Sequence, residues 1–248
     1  MSEHSGGSPT RQPHAVLDLP SRQWKAQKIE RLLGLENSSR ALRLLEIGTG
    51  SGGIAHYFGT HPSGRYTVEA VDVVDSRGVV DGYNFNRVSG TELPFESSSF
   101  DVVLSNHVIE HVGDEAAQHR HLAEIGRVMK PDGIGYLAVP NRWMLIEPHY
   151  RLIFLSWLPR SVRSNYLKLA GRGDFYDCEP FEMARLERFL TEAGFKHSNL
   201  CIEALRATFE IERPASRFTE ALRRIPDGLL RPSRAAIPTL IYRLEHRQ

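Results

Sequence analysis

The chain alternates short apolar runs with stretches of mixed polar and apolar residues, which is the pattern of an α/β protein built around a parallel sheet. Central parallel strands are covered on both faces, so they read as nearly continuous apolar runs. On this basis we predict seven strands, at residues 41–47, 66–73, 86–89, 101–105, 135–139, 196–204 and 238–244.

Helices are expected where a capping residue precedes a stretch of helical periodicity. We predict helices over residues 21–35, 114–129 and 179–193. Ser21 and Asp114 are the candidate N-caps of the first two. Lys130–Gly133 is expected to stop the second helix and form a turn. The link over Asp75–Tyr83 is short and contains glycines, so we expect no crossover helix there.

The first predicted strand ends in a glycine-rich turn, which is the most informative segment of the sequence. Gly48, Gly50 and Gly52 allow backbone conformations that are closed to other residues, and they let a ligand approach closely. A helix is expected to begin near Ile54, so its free N–H groups would face that ligand. The segment therefore predicts a site for a nucleotide-type cofactor.

Two kinds of cofactor fit this turn. Gly48, Gly50 and Gly53 satisfy the G-x-G-x-x-G pattern of dinucleotide sites, and Asp72 follows at the end of the next strand. Glu46 argues against NAD, because a carboxylate would repel a pyrophosphate and attract a cationic ligand.

Further segments of the sequence distinguish between these two kinds of cofactor. The sequence reads E-x-G-x-G-x-G over residues 46–52, L-P-F-x(4)-F-D over 93–101 and E-H-V over 110–112, and the pattern continues through 127–133 and 139–141. In this order they resemble the class I S-adenosylmethionine-dependent methyltransferases, in particular the type 11-like group. The resemblance implies a Rossmann-like seven-stranded class I methyltransferase sheet, with a cap formed by insertions after strands five and six. It also implies S-adenosylmethionine as the cofactor.

The resemblance implies roles for individual residues at the carboxyl edge of the sheet. Glu46 would lie near the ammonium group of the donor, and Asp72 would accept hydrogen bonds from the ribose hydroxyls, with Asp75 as a competing candidate. Ser89 stands where related enzymes have an aspartate that contacts the adenine amino group, so neighbouring backbone groups are the alternative. The predicted cofactor-binding residues are Glu46, Gly48, Thr49, Gly50, Gly52, Asp72, Val73, Ser89, Gly90, Thr91 and Asn106.

Three histidines are candidates for a general base, which a hydroxyl acceptor needs near neutral pH. His107 follows strand four at the ligand edge and is the first choice. His111 follows four residues later and in the alternative interpretation holds the loop, while His149 lies in a later insertion. His119 and His121 are expected to face solvent. No cysteine or carboxylate set completes a metal site with this pair of loop histidines, so we expect no metal.

An insertion over residues 142–178 combines aromatic and aliphatic side chains with several arginines. We predict that it forms a cap at the ligand edge of the sheet. It could cover a large acceptor such as a sugar on a lipid carrier, or contact a membrane surface beside such a lipid. A hydrophobic cap that packs on the core, with its arginines in solvent, is the third interpretation.

Bulk properties narrow the class of protein. A chain of 248 residues with 41% hydrophobic and 25% charged residues fits one globular domain, which we expect over residues 21–248 after a disordered tail over 1–20. The net charge of +1 gives no bulk attraction to nucleic acid, so none is expected as a partner. The two cysteines have no ligand or disulfide spacing, so we expect a cytoplasmic protein, with membrane association on the cytoplasmic face if the cap contacts lipid.

The function that we expect is O-methylation of a small-molecule or lipid-linked glycan acceptor. Residues 139–159 resemble bacterial methyltransferases that act on such glycans. Methylation of a quinone ring or another small molecule is the alternative within the family. A non-catalytic protein that keeps the fold as a binding module is a further alternative, favoured by Ser89 and by the missing crossover helix, and an NAD-dependent enzyme is the last.

Overall fold

Seven strands form one mixed sheet in the computed structural model of the chain, which describes residues 18–147, 150–176 and 178–247. The strands are β1 Leu42–Ile47, β2 Tyr66–Asp72, β3 Asn84–Arg87, β4 Phe100–Asn106, β5 Met129–Pro140, β8 Phe195–Asn199 and β9 Thr239–His246, and β6 Ile146–Glu147 pairs with β7 Leu152–Ile153 outside the sheet. The order is β3-β2-β1-β4-β5-β9-β8, with β9 antiparallel to both of its neighbours and the other pairs parallel. The predicted seven-stranded Rossmann-like sheet is confirmed.

Helices cover both faces of the sheet. They are α1 Leu19–Leu33, α2 Gly53–Gly59, α3 Glu115–Val128, α4 Arg160–Leu169, α5 Met183–Glu192, α6 Cys201–Glu212, α7 Arg217–Arg224 and α8 Asp227–Leu230. Ile29, Phe58 and Ala204 place α1, α2 and α6 in the core on one face. Leu122 and Phe189 place α3 and α5 in the core on the other. The result is a three-layer α/β/α arrangement.

The parallel strands bring the predicted site together. Ile47 at the end of β1 pairs with Val71 of β2 and with Ser105 of β4. The next residues along these three strands are Gly48, Asp72 and Asn106, so they emerge side by side at the carboxyl edge of the sheet. An open α/β sheet binds its ligands at this edge.

The first helix begins earlier than its sequence predicts. Asp18 is the N-cap of α1, because Pro20 in the first turn suits a helix start, whereas Ser21 lies inside the helix and donates its hydroxyl hydrogen to the Asp18 carbonyl over 2.9 Å. The prediction of Ser21 as N-cap was therefore wrong. Residues 1–17 of the predicted tail lie outside the described part of the chain, while Leu19 and Pro20 belong to α1.

The boundaries around α3 are partly as predicted. Asp114 is its N-cap and accepts a hydrogen bond from the Ala117 N–H at 2.9 Å, as expected. Lys130–Gly133 does not form a free turn but belongs to β5, where the pairing with β4 shifts register between Phe100 and Val102. An irregularity inside a strand accommodates the proline and glycine that suggested a turn.

The sequence predicted the link between β2 and β3 correctly but not the end of β8. The predicted strand over 196–204 ends at Asn199, and α6 begins at Cys201, because the Asn199 side-chain oxygen accepts the Cys201 N–H at 3.1 Å. The link over residues 75–83 has no helix, as predicted. It packs instead against the glycine-rich turn, since the Gly78 N–H donates to the Ser51 carbonyl at 2.9 Å.

The insertion after β5 forms a small unit with its own core of Tyr150, Leu155, Leu167, Tyr176 and Cys178. It is held at the edge of the sheet by backbone hydrogen bonds, in which residue 142 donates to residue 181 at 2.9 Å and residue 179 donates to residue 110 at 3.3 Å. Many large apolar side chains of the unit remain exposed, namely Trp143, Leu145, Ile146, Ile153, Phe154, Trp157, Val162, Leu169 and Phe175. Within the described residues, no helix has the length and apolar character to cross a membrane.

Candidate functional site

A cavity of about 820 Å³ opens at the carboxyl edge of the sheet. Its size falls in the range of sites for small molecules and cofactors. Its walls come from the glycine-rich turn, the ends of β2 and β4, the segment before Leu93, and the helices α1 and α3. Most of the predicted site residues line it, namely Glu46, Gly48, Thr49, Gly50, Asp72, Val73, Ser89, Gly90, Thr91, Asn106, His107 and His111.

The glycines of the turn have different reasons to be glycine. Gly48, with φ of +74°, packs against Val108, and a Cβ atom here would clash with that side chain. Gly50, with φ of +52°, donates its N–H to the Asp72 carboxylate at 2.9 Å. Gly52 does not line the cavity, because its α-carbon faces Tyr83 and the link between β2 and β3.

Glu46 is buried at the base of the cavity. One carboxylate oxygen accepts hydrogen bonds from the Thr49 hydroxyl at 2.8 Å and from the Ala55 N–H at 3.0 Å. Burial raises the pKa of Glu46 to about 8, although these two hydrogen bonds and the nearby Arg22 charge oppose the shift. A bound ammonium group would favour the ionised carboxylate, as expected for a residue that faces the cationic end of a ligand.

Asp72 is fixed in position by the backbone around it. One of its oxygens accepts the Gly50 N–H at 2.9 Å and the other accepts the Val73 N–H at 2.7 Å. The oxygen that accepts from Val73 also accepts the Val74 N–H at 3.3 Å, whereas the oxygen that accepts from Gly50 keeps acceptor capacity for a ligand hydroxyl. The competing candidate Asp75 does not line the cavity and instead pairs with Arg77, with a nitrogen–oxygen distance of 2.8 Å.

His107 follows β4 directly and lies in the cavity wall. Its φ is +60°, and its N–H donates to the Ala138 carbonyl at 2.8 Å. Its Nδ1 lies 3.1 Å from a carboxylate oxygen of Glu110. An Nδ1–H donated to a carboxylate leaves the lone pair on Nε2, which is the arrangement of a histidine that accepts protons.

Glu110 is a residue that the sequence predictions did not include, although it is the first letter of the E-H-V segment. Its side chain is buried, which disfavours ionisation. The hydrogen bond from His107 and the charges of His107 and His111 outweigh burial, so the pKa of Glu110 lies below its ordinary value. The buried carboxylate therefore orients His107 and stabilises its protonated form.

The other histidines occupy different surroundings. His111 lines the cavity one short turn after His107, and His149 lies outside the described residues. His121 was predicted to face solvent and this was wrong, because it is buried with Nε2 at 2.9 Å from the Ser105 hydroxyl. Burial lowers the pKa of His121 to about 4, so its ring is neutral at pH 7.

Three cationic side chains that line the cavity were not predicted from the sequence. Arg22 and Lys25 come from α1, and Arg120 comes from α3. Burial, together with the like charges of Lys28 and Arg22, lowers the pKa of Lys25 to about 8. No sequence motif connects α1 with the glycine-rich turn, and only the tertiary fold brings them to one cavity.

Sequence comparison identifies relatives for part of the chain. Residues 45–137 match the family described as the methyltransferase domain. An uncharacterized methyltransferase of Mycolicibacterium gilvum is 36% identical over 109 residues, which are 41% of this chain and 40% of that protein. A ubiquinone biosynthesis O-methyltransferase of Azorhizobium caulinodans is 28% identical over 189 residues, which are 69% of this chain and 67% of that protein. The chain thus spans about two fifths of the first relative's length and two thirds of the second's.

Structural comparison extends the likeness beyond the matched sequence. A SAM-dependent methyltransferase of Methanosarcina mazei superimposes with a TM-score of 0.53 at 15% sequence identity. The match covers 87% of this chain and 98% of that one. At this identity the likeness concerns the fold alone.

Proposed function

We propose that the chain is a class I S-adenosylmethionine-dependent methyltransferase, which the family match over residues 45–137 supports, and that it transfers the methyl group of S-adenosylmethionine to an oxygen atom of an acceptor. One observation carries this proposal. A single cavity contains two carboxylates suited to the donor, Glu46 and Asp72, and a carboxylate-oriented histidine suited to an acceptor hydroxyl, His107.

The residues present fit the donor. Glu46 would pair with the ammonium group of its methionine part, and Asp72 would accept a hydrogen bond from a ribose hydroxyl. Ser89, Gly90 and Thr91 line the region where adenine would lie. When bound, the donor supplies a methyl group that is already activated by the sulfonium, so the protein needs mainly to hold it in line with the acceptor.

His107 would provide the base for an oxygen acceptor. Its Nε2 faces away from Glu110, so it can take the hydroxyl proton as the new carbon–oxygen bond forms. Glu110 then stabilises the resulting imidazolium, since its buried carboxylate already carries a negative charge.

The cap supports an acceptor that is lipid-linked. Trp157 lies 5.4 Å from Trp143 and 5.0 Å from Phe154 between ring centroids, and all three rings are partly exposed on the cap. The cap also carries the exposed Arg151, and exposed aromatic and cationic side chains are suited to the interface of an anionic membrane. A lipid-linked glycan acceptor on the cytoplasmic face of a membrane is therefore our first choice.

A quinone-type acceptor is the second candidate. It is favoured by the relative from Azorhizobium caulinodans, whose name includes ubiquinone biosynthesis and which aligns with 69% of this chain. A phenolic hydroxyl is more acidic than a sugar hydroxyl, so such an acceptor would depend less on His107.

The test of the proposed function is a calorimetric titration with S-adenosylhomocysteine and with NAD, followed by an acceptor screen with methyl-labelled S-adenosylmethionine. We expect S-adenosylhomocysteine to bind, NAD not to bind, and the label to appear on an acceptor oxygen. Binding of NAD alone would contradict the proposal. Binding of S-adenosylhomocysteine without transfer to any sugar, lipid-linked or phenolic acceptor would favour a binding module.

Asp72 provides a direct test of the donor site. We expect Asp72→Ala to weaken the affinity for S-adenosylhomocysteine about tenfold or more, because it removes the charged acceptor of the ribose hydrogen bond. Asp75→Ala is the matched control, since Asp75 is exposed and pairs with Arg77 outside the cavity. Equal affinities of the two folded variants, measured by calorimetry, would show that the ribose site is elsewhere.

A further inference from the structure

Two cationic side chains of different helices line the cavity. Lys25 of α1 and Arg120 of α3 both border the cavity. In the parts of the chain that the structure describes, neither side chain makes a hydrogen bond or an ion pair. Lysine and arginine side chains that line a ligand cavity unpaired are available to bind an anionic group.

The surroundings of Lys25 lack sufficient negative charge. Burial is the main cause of its lowered pKa, and the neighbouring cations Lys28 and Arg22 add to it. The carboxylates of Glu212 and Glu110 act in the opposite direction without compensating. An anion bound next to the ammonium group would relieve this imbalance.

The charge balance of the whole cavity also favours an anionic ligand. Arg22, Lys25 and Arg120 outnumber the two lining carboxylates, Glu46 and Asp72. Both carboxylates are already assigned to the donor, which is itself a net cation. One of the lining cations is sufficient for the carboxylate of the donor. We assign this role to Arg22, because its charge acts on Glu46, which would bind the same end of the donor. Lys25 and Arg120 then remain for the second substrate.

We propose that the methyl acceptor carries a negatively charged group, a carboxylate or a phosphate, and that Lys25 and Arg120 bind this group in the cavity. This inference rests on the proposed function and adds the charge class of the acceptor to it. The acceptor hydroxyl would face His107 while the anionic group is held between α1 and α3. The two cations thereby select the acceptor and also offset the repulsion among the positive charges around the donor.

The test uses the full chain saturated with S-adenosylhomocysteine, so that the donor site is filled. It is titrated with benzoate, phenyl phosphate and the neutral match benzamide. We expect one of the two anions to bind about tenfold more tightly than benzamide, and the identity of the better anion distinguishes a carboxylate from a phosphate acceptor. Lys25→Met and Arg120→Met should each reduce the affinity for that anion about tenfold.

Lys28→Met is the matched control. Lys28 lies on the same helix one turn later, but it donates to the Thr208 hydroxyl at 3.0 Å and does not line the cavity. Its removal should change the anion affinity by no more than about twofold, because its ammonium group is held by Thr208 outside the cavity and cannot contact the bound anion. Benzamide binding as tightly as both anions, or an anion affinity unchanged in Lys25→Met and Arg120→Met, would overturn the proposal. Failure of the parent to bind S-adenosylhomocysteine is a separate result that counts against the proposed function.

Discussion

Glu46→Gln should stabilise the ligand-free protein at pH 8 by on the order of 4 kcal/mol and should weaken the binding of S-adenosylhomocysteine about tenfold. The reason is the pKa of Glu46, which burial raises from 4.5 to about 8 in the folded protein. Ionising this buried carboxyl costs free energy that only a cationic ligand recovers. A glutamine keeps the oxygen that accepts from Thr49 and Ala55 but has no charge to bury.

The pH dependence of the free energy of unfolding shows why the glutamine variant should be the more stable protein. Below about pH 4.5 the carboxyl is protonated in both the folded and the unfolded states and contributes no difference. Between pH 4.5 and 8 the folded state retains a proton that the unfolded state has released, so the free energy of unfolding of the parent falls as pH rises. Above pH 8 the loss is complete. The glutamine variant lacks this titration, so its advantage over the parent grows across the window.

Urea unfolding of parent and variant at intervals from pH 5 to pH 9 measures the effect. Glu96→Gln is the matched control, because Glu96 is an exposed carboxyl and its replacement should give no pH-dependent gain. A stability difference between Glu46→Gln and parent that is the same at pH 5 and pH 8 would show that the Glu46 carboxyl is already ionised in the folded protein.

His107→Asn should lower kcat by about 10²- to 10⁴-fold while the affinity for S-adenosylhomocysteine stays unchanged. The expected loss is large because a sugar hydroxyl is too weakly acidic to ionise without a base. Asparagine is the suitable replacement, since His107 has φ of +60° and asparagine tolerates this left-handed conformation better than alanine. Single-turnover methyl transfer with the acceptor from the screen is the measurement.

Two further variants separate the base from its support. Glu110→Gln removes the charge that orients His107 without removing the base, so it should give a smaller loss and move the rising limb of the pH–rate profile to lower pH. His119→Asn replaces a histidine on α3 that packs against Phe189 outside the cavity, and its kcat should equal that of the parent. An unchanged kcat in His107→Asn would remove the base assignment and leave positioning as the source of catalysis.

The sheet and its ligand edge could be predicted because the central strands have an unambiguous sequence pattern. Every residue of β1 except Arg43 is buried, and all of β4 up to Ser105 is buried. Strands covered on both faces are apolar at most positions, and this leaves a clear pattern in the sequence. The turn after β1 was equally clear, because left-handed backbone at Gly48 and Gly50 favours glycine.

Local patterns were misleading where strand and helix compete for the same residues. The apolar run around Leu200 was interpreted as a continuing strand, although short apolar runs fit either element. In the structure Asn199 ends the strand and holds the first turn of α6. His121 is a different case, because it was predicted to face solvent although Ala117, His121 and Ile125 follow one another at helical spacing on one buried face.

Long-range contacts decide the positions of the site residues that the sequence patterns did not reveal. Lys25 reaches the cavity only because α1 packs beside α2 and the glycine-rich turn, and nothing near it in the sequence indicates a ligand. For Gly52, the motif predicted a contact with the cofactor that the cavity lining does not include. The structure places Gly52 against Tyr83, where the close packing of the β2–β3 link requires glycine.

The strand order has a consequence for how the protein folds during synthesis. β9 lies between β5 and β8, and it is the only neighbour of β8 in the described sheet. β8 is translated before β9, so on the ribosome it has no strand to pair with until residues 239–246 have emerged. The five parallel strands can assemble early, whereas β8 and β9 must join late and together. The antiparallel edge therefore forms a cooperative unit whose folding awaits a late part of the chain.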